Sequence, residues 1–289
     1  TVELALTALF SEGHLLIVDL PGVGKTTLAK ALSRSISGVG NRIQFTPDLL
    51  PSDITGLTIY RHEKDAFEFH NGPVFCNILL ADEINRATPR TQSSLLEAME
   101  ERQVTVDGVT HPLQRPFMVI ATQNPVEVQG TFPLPEAQLD RFLISINIGY
   151  PTREQESRLM EERASGDPLD TMQPVMTPEQ VVSLAGSIRE VFVDGSVKNY
   201  VLDVVEATRN SPEILLGASP RASLALMRAA QARAVFHDRD FVTPEDLKSL
   251  AVPVLAHRIL LRAATRLNLT NNQAVIAGII EQLPAPAKF

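Results

Sequence analysis

The chain has 289 residues, 44% hydrophobic and 21% charged, so it can bury a sizeable core and is long enough for two domains. A formal net charge of −8 excludes a whole-chain basic field that would draw it onto nucleic acid; the single cysteine, Cys76, excludes an intramolecular disulfide, argues against structural zinc and fits a reducing compartment. No apolar run nears the roughly 20 residues needed to span a bilayer, and no signal peptide is visible at Thr1, so a cytoplasmic protein with no membrane insertion is expected.

The chain begins without Met, in an amphipathic pattern carried by Val2, Leu4, Ala5, Leu6 and Leu9. The first domain is therefore expected to be cut short at its N-terminus. From about residue 15 to 149, short apolar runs at 15–18, 78–81, 117–121 and 143–148 alternate with helical patterns such as 26–36 and 91–101. Apolar runs bounded by turn signals predict strands buried on both faces, and this alternation predicts a mostly parallel sheet in a three-layer α/β/α domain. Two segments break the scheme. Residues 56–69 place Leu57, Ile59 and Tyr60 before a polar stretch and Phe67 and Phe69 after it, which reads as a hairpin. Residues 104–116 carry Asp107-Gly108 between Val106 and Val109, a strong hairpin signal.

After Tyr150-Pro151 the pattern turns helical. Thr177-Pro178-Glu179-Gln180 is a capping box with Pro at the first helical position, and Thr243-Pro244-Glu245-Asp246 is a close variant. Residues 164–174 read as a polar loop. The expected organisation is a nucleotide-binding α/β core over 1–150 and an all-helical segment and lid over 151–289.

The sharpest chemical signal is Asp19-Leu20-Pro21-Gly22-Val23-Gly24-Lys25-Thr26-Thr27, between a predicted strand and a predicted helix. A phosphate needs backbone N–H donors turned toward it; glycines permit that turn, and the helix N-terminus adds partial positive charge. Pro21 to Thr27 are the expected nucleotide-binding residues, with Lys25 reaching the β- and γ-phosphates and the Thr26 hydroxyl ligating Mg²⁺. Asp19 stands where the strict pattern begins with Gly.

A second apolar run, Ile78-Leu79-Leu80-Ala81, ends in Asp82-Glu83. Alone, paired acids at a strand end are as often surface charges or caps. Downstream of a phosphate loop, Asp82 is expected in the Mg²⁺ shell and Glu83 as the base that polarises water for in-line attack. A third run ends in Thr122-Gln123-Asn124-Pro125. Asn124 alone reads as a common loop Asn before Pro; with its strand between the other two it would face the attacking water.

Leu80-Ala81-Asp82-Glu83-Ile84-Asn85-Arg86-Ala87 and the following Gln92-Ser93-Ser94-Leu95-Leu96-Glu97-Ala98-Met99-Glu100-Glu101 resemble the MoxR family of AAA+ ATPases. Ala121-Thr122-Gln123-Asn124-Pro125, Leu134-Pro135-Glu136-Ala137-Gln138-Leu139-Asp140-Arg141-Phe142 and Gly217-Ala218-Ser219-Pro220-Arg221-Ala222 follow in family order. The resemblance implies ATP with Mg²⁺, and a homo-oligomeric ring, a hexamer. It makes Asn124 the first sensor, Arg141 a finger acting on the neighbouring subunit's nucleotide, and Arg221 a second sensor from the lid. Without it, Arg141 and Arg221 read as ordinary surface arginines. It also matches the two hairpins to insertions shared with magnesium-chelatase subunits. Its implied clients are proteins, including ones with a von Willebrand A domain. Alternatives are a chelatase-type ATPase subunit and a nucleic-acid motor, the latter disfavoured by the −8 charge. A non-catalytic nucleotide switch is argued against by the intact Lys25, Asp82, Glu83 and Arg141.

Overall fold

The structure is a computed structural model that describes residues 1–125, 130–164, 166–267 and 271–286. In chain order the elements are α1 (Val2–Phe10), β1 (Leu15–Val18), α2 (Lys25–Ser35), β2 (Gly40–Gln44), α3 (Pro51–Thr55), β3 (Gly56–Arg61), β4 (Ala66–Asn71), β5 (Ile78–Asp82), α4 (Pro89–Glu101), β6 (Gln103–Val106), β7 (Val109–Pro112), β8 (Met118–Gln123), α5 (Glu136–Leu139) and β9 (Ile144–Ile146). They continue as α6 (Arg153–Ala164), α7 (Pro178–Ile188), α8 (Gly195–Asn210), β10 (Ile214–Leu216), α9 (Pro220–Phe236), α10 (Pro244–Leu255), β11 (Leu260–Leu261), α11 (Ala263–Leu267) and α12 (Asn272–Gln282). Two compact units form. One comprises Thr1–Val2, His14–Leu134 and Ile146–Val182; the other comprises Glu3–Gly13, Pro135–Ser145 and Ser183–Phe289.

The first unit is built on a five-stranded sheet of order β2-β5-β8-β1-β9. β2 pairs with β5, β5 with β8, and β8 with β1, all parallel. Three of the four apolar runs become the interior strands β1, β5 and β8, and the fourth forms the edge strand β9. Helices on the faces of a parallel sheet bury the interior strands on both sides, and every residue of β5, and Met118 to Thr122 of β8, is buried. β2 was not legible as a strand. Its sequence, Gly-Asn-Arg-Ile-Gln, buries only Ile43, as an edge position allows. Both expected hairpins form, β3–β4 and β6–β7. Asp107 (φ 51°) and Gly108 (φ 78°) both take the left-handed backbone that a tight hairpin turn of this hand requires.

The second unit is helical, with α8, α9, α10 and α12 packed on one another around Val201, Val204, Leu226, Ala229, Leu250 and Ile276. β10 and β11 add a short antiparallel ladder that the helical reading did not include. Helix starts follow their caps: Thr243 and Asp246 form the capping box of α10, and Thr177 and Gln180 bond reciprocally ahead of α7. α1 joins this unit through Phe10, whose ring meets the edge of Phe236 at 5.9 Å. In the polar 164–174 stretch, Ser165 lies outside the described residues, and Asp167 caps a 3₁₀ turn over Pro168–Thr171.

His14 locks the start of β1 into the first unit. Its Nδ1 accepts from the Val119 N–H at 3.0 Å, and its Nε2 donates to the Met99 carbonyl at 3.1 Å. Burial, opposed in part by the Met99 bond, lowers its pKa from 6.5 to about 4. The neutral ring is therefore the folded form, and protonation favours the unfolded chain. The stabilisation is complete above about pH 6.5 and is lost as pH falls toward 4, a total of about 3 kcal/mol. Denaturant unfolding should show lower stability at pH 5 than at pH 7.5. His14→Gln, which does not titrate, should flatten that dependence; an unchanged slope would mean that other groups set it.

Candidate nucleotide site

Parallel pairing puts four strand ends at one edge of the sheet. Val18 lies opposite Gln123, and Gln44 opposite Asp82, so the loops leaving β1, β5 and β8 emerge side by side. Ligands of open α/β sheets bind outside these carboxyl ends. A cavity of about 200 Å³ opens here, lined by Pro21, Gly22, Gly24, Lys25 and Thr26 from the loop, and by Asp82, Glu83 and Thr122 from the sheet. Arg42 and Gln44 from β2 complete it. Lys25, Thr26, Asp82 and Glu83 thus share one cavity.

The loop's shape depends on two glycines with positive φ, Gly22 (85°) and Gly24 (93°). A side chain at either would be strained, and Gly24 is also the residue from which α2 starts. The first N–H groups of α2 have no carbonyl one turn earlier within the helix, which makes them donors for an anion. The Lys25 ammonium donates to the Asp19 carbonyl at 3.0 Å, across the mouth of the loop.

Asp19 is buried and anchors the loop. One carboxylate oxygen accepts from the Leu20 N–H at 2.8 Å; the other accepts from Ile148 and Gly149 at 2.6 and 2.7 Å. Three N–H donors hold a carboxylate where the strict pattern has Gly, tying the start of the phosphate loop to the segment leaving β9.

Thr122 organises the acids. Its hydroxyl donates to Asp82 Oδ1 at 3.1 Å and accepts from the Glu83 N–H at 2.9 Å. Arg42 Nε donates to Asp82 Oδ2 at 2.7 Å. Glu83 Oε2 accepts from Gln44 Nε2 at 2.7 Å and from Arg86 at 2.9 Å. Glu83 itself has φ 57°, a left-handed value uncommon for this residue type, directly after β5. Arg42, Gln44, Arg86 and Thr122 had escaped the sequence reading. Thr122 lay inside a quoted motif, but only its distance to Asp82 discloses its part.

The remaining candidates divide. Val23, in the loop, and Thr27, in the first turn of α2, do not line the cavity. Asn124 is buried directly after β8, which does lie between β1 and β5. Arg141 and Arg221 belong to the second unit, Arg141 just after α5 and half-buried, Arg221 exposed in the first turn of α9. Between them stands Asp140, which accepts the Ser219 hydroxyl at 2.7 Å; Ser219 in turn caps α9 at the Arg221 N–H. Cys76 is buried, and burial pushes its thiol up to about 12, so it takes no part in thiolate chemistry at neutral pH.

A parallel sheet with a glycine loop leading into a helix, a strand-end acid pair and a separate helical unit defines a P-loop nucleotide hydrolase with a lid. The family model of ATPases associated with various cellular activities matches residues 14–144, and the AAA lid domain matches 206–279. The chain is 48% identical to the YeaC protein of Bacillus subtilis, covering 99% of this chain and 89% of that one. It is 40% identical to the chaperone MoxR1 of Mycobacterium tuberculosis, covering 99% of this chain and 78% of the relative. The crystal structure of a candidate ATPase from Cytophaga hutchinsonii superposes with a TM-score of 0.91 at 39% identity, covering 99% and 89%. The chain belongs to the MoxR family of AAA+ ATPases.

The Asp19 anchor makes a direct prediction. Asp19→Ala leaves the part-buried N–H groups of Ile148 and Gly149 without their acceptor. The cost for each stays below the roughly 1–3 kcal/mol of a fully buried donor left unpaired, because water reaches them in part. Nucleotide affinity should fall together with stability, and Asp19→Asn, which keeps one acceptor oxygen, should recover part of both. Wild-type affinity in Asp19→Ala would show that the loop holds its shape without this carboxylate.

Proposed function

We propose that this chain binds ATP with Mg²⁺ at the β1–β5–β8 edge and hydrolyses it in a homo-oligomeric ring, a hexamer, to remodel or mature protein complexes. The observation that carries the reading is the single cavity shared by Lys25, Thr26, Asp82 and Glu83. The MoxR1 relative is a chaperone, which supports protein clients; von Willebrand A domain proteins are the class of client that the family resemblance implies. Among the described residues no helix is long and apolar enough to cross a membrane, and we infer a cytoplasmic protein. The nucleotide-binding core is assigned to 1–150 and the lid segment to 151–289.

The assigned roles follow from the chemistry of each group. The loop N–H groups and Lys25 neutralise the β- and γ-phosphates. Thr26 and Asp82 would hold Mg²⁺, a hydroxyl and a carboxylate being the hard oxygen ligands it takes; the ion supplies positive charge to the phosphate oxygens. Glu83 takes the proton of the attacking water, and Thr122 fixes the backbone from which Glu83 projects. Asn124 orients the water. Arg221 and, from the next subunit, Arg141 stabilise the charge that spreads over the γ-phosphoryl oxygens.

Glu83→Gln keeps the size of the side chain but removes the base, so ATP should still bind while turnover falls about 10²–10⁴-fold. Lys25→Ala should instead weaken nucleotide binding itself with the fold intact. Arg141→Ala should bind nucleotide nearly normally and lose about 10³–10⁵ in turnover. Mixing Arg141→Ala subunits, which keep a pocket, with Glu83→Gln subunits, which keep a finger, should restore activity. Absence of rescue, or concentration-independent activity from a monomer, would refute the trans role.

A further inference from the structure

The second unit buries an arginine that none of the proposed chemical steps uses. Arg258 follows α10 in a short turn with its side chain 3% exposed. A guanidinium carries five N–H donors in a rigid fork, and a buried one is costly unless they are met. Each has an acceptor here. Nε donates to Asp140 Oδ1 at 2.8 Å, one terminal nitrogen to the carbonyls of Leu143 (3.0 Å) and Val254, and the other to the carbonyls of Phe142 (2.7 Å) and Asp140 (3.3 Å).

Four of the five bonds reach one short stretch of chain, residues 140, 142 and 143. The residue enclosed by these anchors is Arg141. His257 adds a second donor to the same backbone, its Nε2 to the Phe142 carbonyl at 2.9 Å. Burial, with the neighbouring Arg258 charge, keeps the His257 pKa well below its usual value, so this bond comes from a neutral ring. Burial also lowers the Arg258 pKa, to about 10, which leaves the guanidinium charged at neutral pH opposite Asp140.

We propose that Arg258 is a positioning residue for Arg141: it fixes the backbone on both sides of Arg141, so that the finger is presented to the neighbouring nucleotide in one orientation. This rests on the trans role of Arg141 proposed above. Lysine does not replace it, because a single ammonium has three donors on a flexible stem and does not span the carbonyls of residues 140, 142 and 143 together. A reach loosened by about 1 Å costs a reaction about 10²-fold.

The test separates support of the finger from support of the fold by placing the change in one subunit type at a time. In the mixed assembly, Glu83→Gln subunits donate the finger and Arg141→Ala subunits supply the pocket. Arg258→Lys in the donor should lower the rescued turnover by about 10- to 10²-fold, within the loss ascribed to such a misplacement. The same change in the receiver, whose own finger is already gone, should preserve most of the rescued rate. Nucleotide affinity and assembly are measured on each mixture. Equal losses on both sides, or loss in the receiver alone, would assign Arg258 a general structural role and overturn the proposal, as would full rescue by the altered donor. If Arg258→Lys does not fold, Arg258→Gln in the same two subunit types keeps two of the five donors, leaves the Asp140–Ser219 bond in place and carries the same expectation. Failure of the unaltered Glu83→Gln donor to rescue at all would instead refute the trans role of Arg141, and this proposal with it.

Discussion

The candidate site depends first on the parallel pairing of β8 between β1 and β5. Because the three strands run the same way and their registers match, the glycine loop, the acid pair and Asn124 leave the sheet at one edge. Antiparallel insertion of β8 would send Thr122 and Asn124 to the far end. The apolar content of these strands favours the arrangement, since the central strands of a parallel sheet have both faces covered by helices, as the burial of Ile78 to Ala81 and Met118 to Ala121 shows. A hydrophobic requirement thereby places polar groups: Thr122, one residue past the apolar run, comes within hydrogen-bond distance of Asp82 on the adjacent strand.

The acids at that edge are paired without being locked. Asp82 takes Arg42, and Glu83 takes Gln44 and Arg86, all partners at or near the surface. The Arg42 side chain is 55% exposed, so its bond to Asp82 competes with water and contributes little to stability. Such pairs exchange partners at small cost, as a site that must admit a highly charged nucleotide requires. The Glu83 carboxylate is meanwhile held toward β2, and its release from Gln44 is a change of hydrogen-bond partner rather than of fold.

What could be read from the sequence follows from how local each signal is. The interior strands announce themselves by apolar runs, the phosphate loop by glycines whose positive φ no other residue takes readily, and the β6–β7 hairpin by Asp107-Gly108. β2 was invisible because an edge strand needs only one buried residue, Ile43, and with it went Arg42 and Gln44. Their part in the site comes from register, Gln44 opposite Asp82, which no composition encodes. Arg141 and Arg221 entered only through resemblance to a family. The link among Asp140, Ser219 and Arg258 joins positions 79 and 118 residues apart, beyond the reach of any periodicity.

That long-range link differs in kind from the pairs around Asp82. Arg258 is 3% exposed and Asp140 14%, and the guanidinium spreads five bonds over one carboxylate oxygen and four carbonyls. In a low-dielectric setting no partner can leave without stranding a charge, so the arrangement is costly to disturb and adds less net stability than its bond count suggests. What such a network does well is exclude alternative geometries. Asp140 extends the constraint to α9, because its second oxygen holds Ser219, the cap from which Arg221 projects. One carboxylate therefore sets the backbone beneath both arginines, the one assigned to the chain's own nucleotide and the one assigned to its neighbour's. The pairs around Asp82 and Glu83 are thus exchangeable and those around Asp140 fixed, a contrast suited to arginines that the proposed mechanism needs in a set orientation.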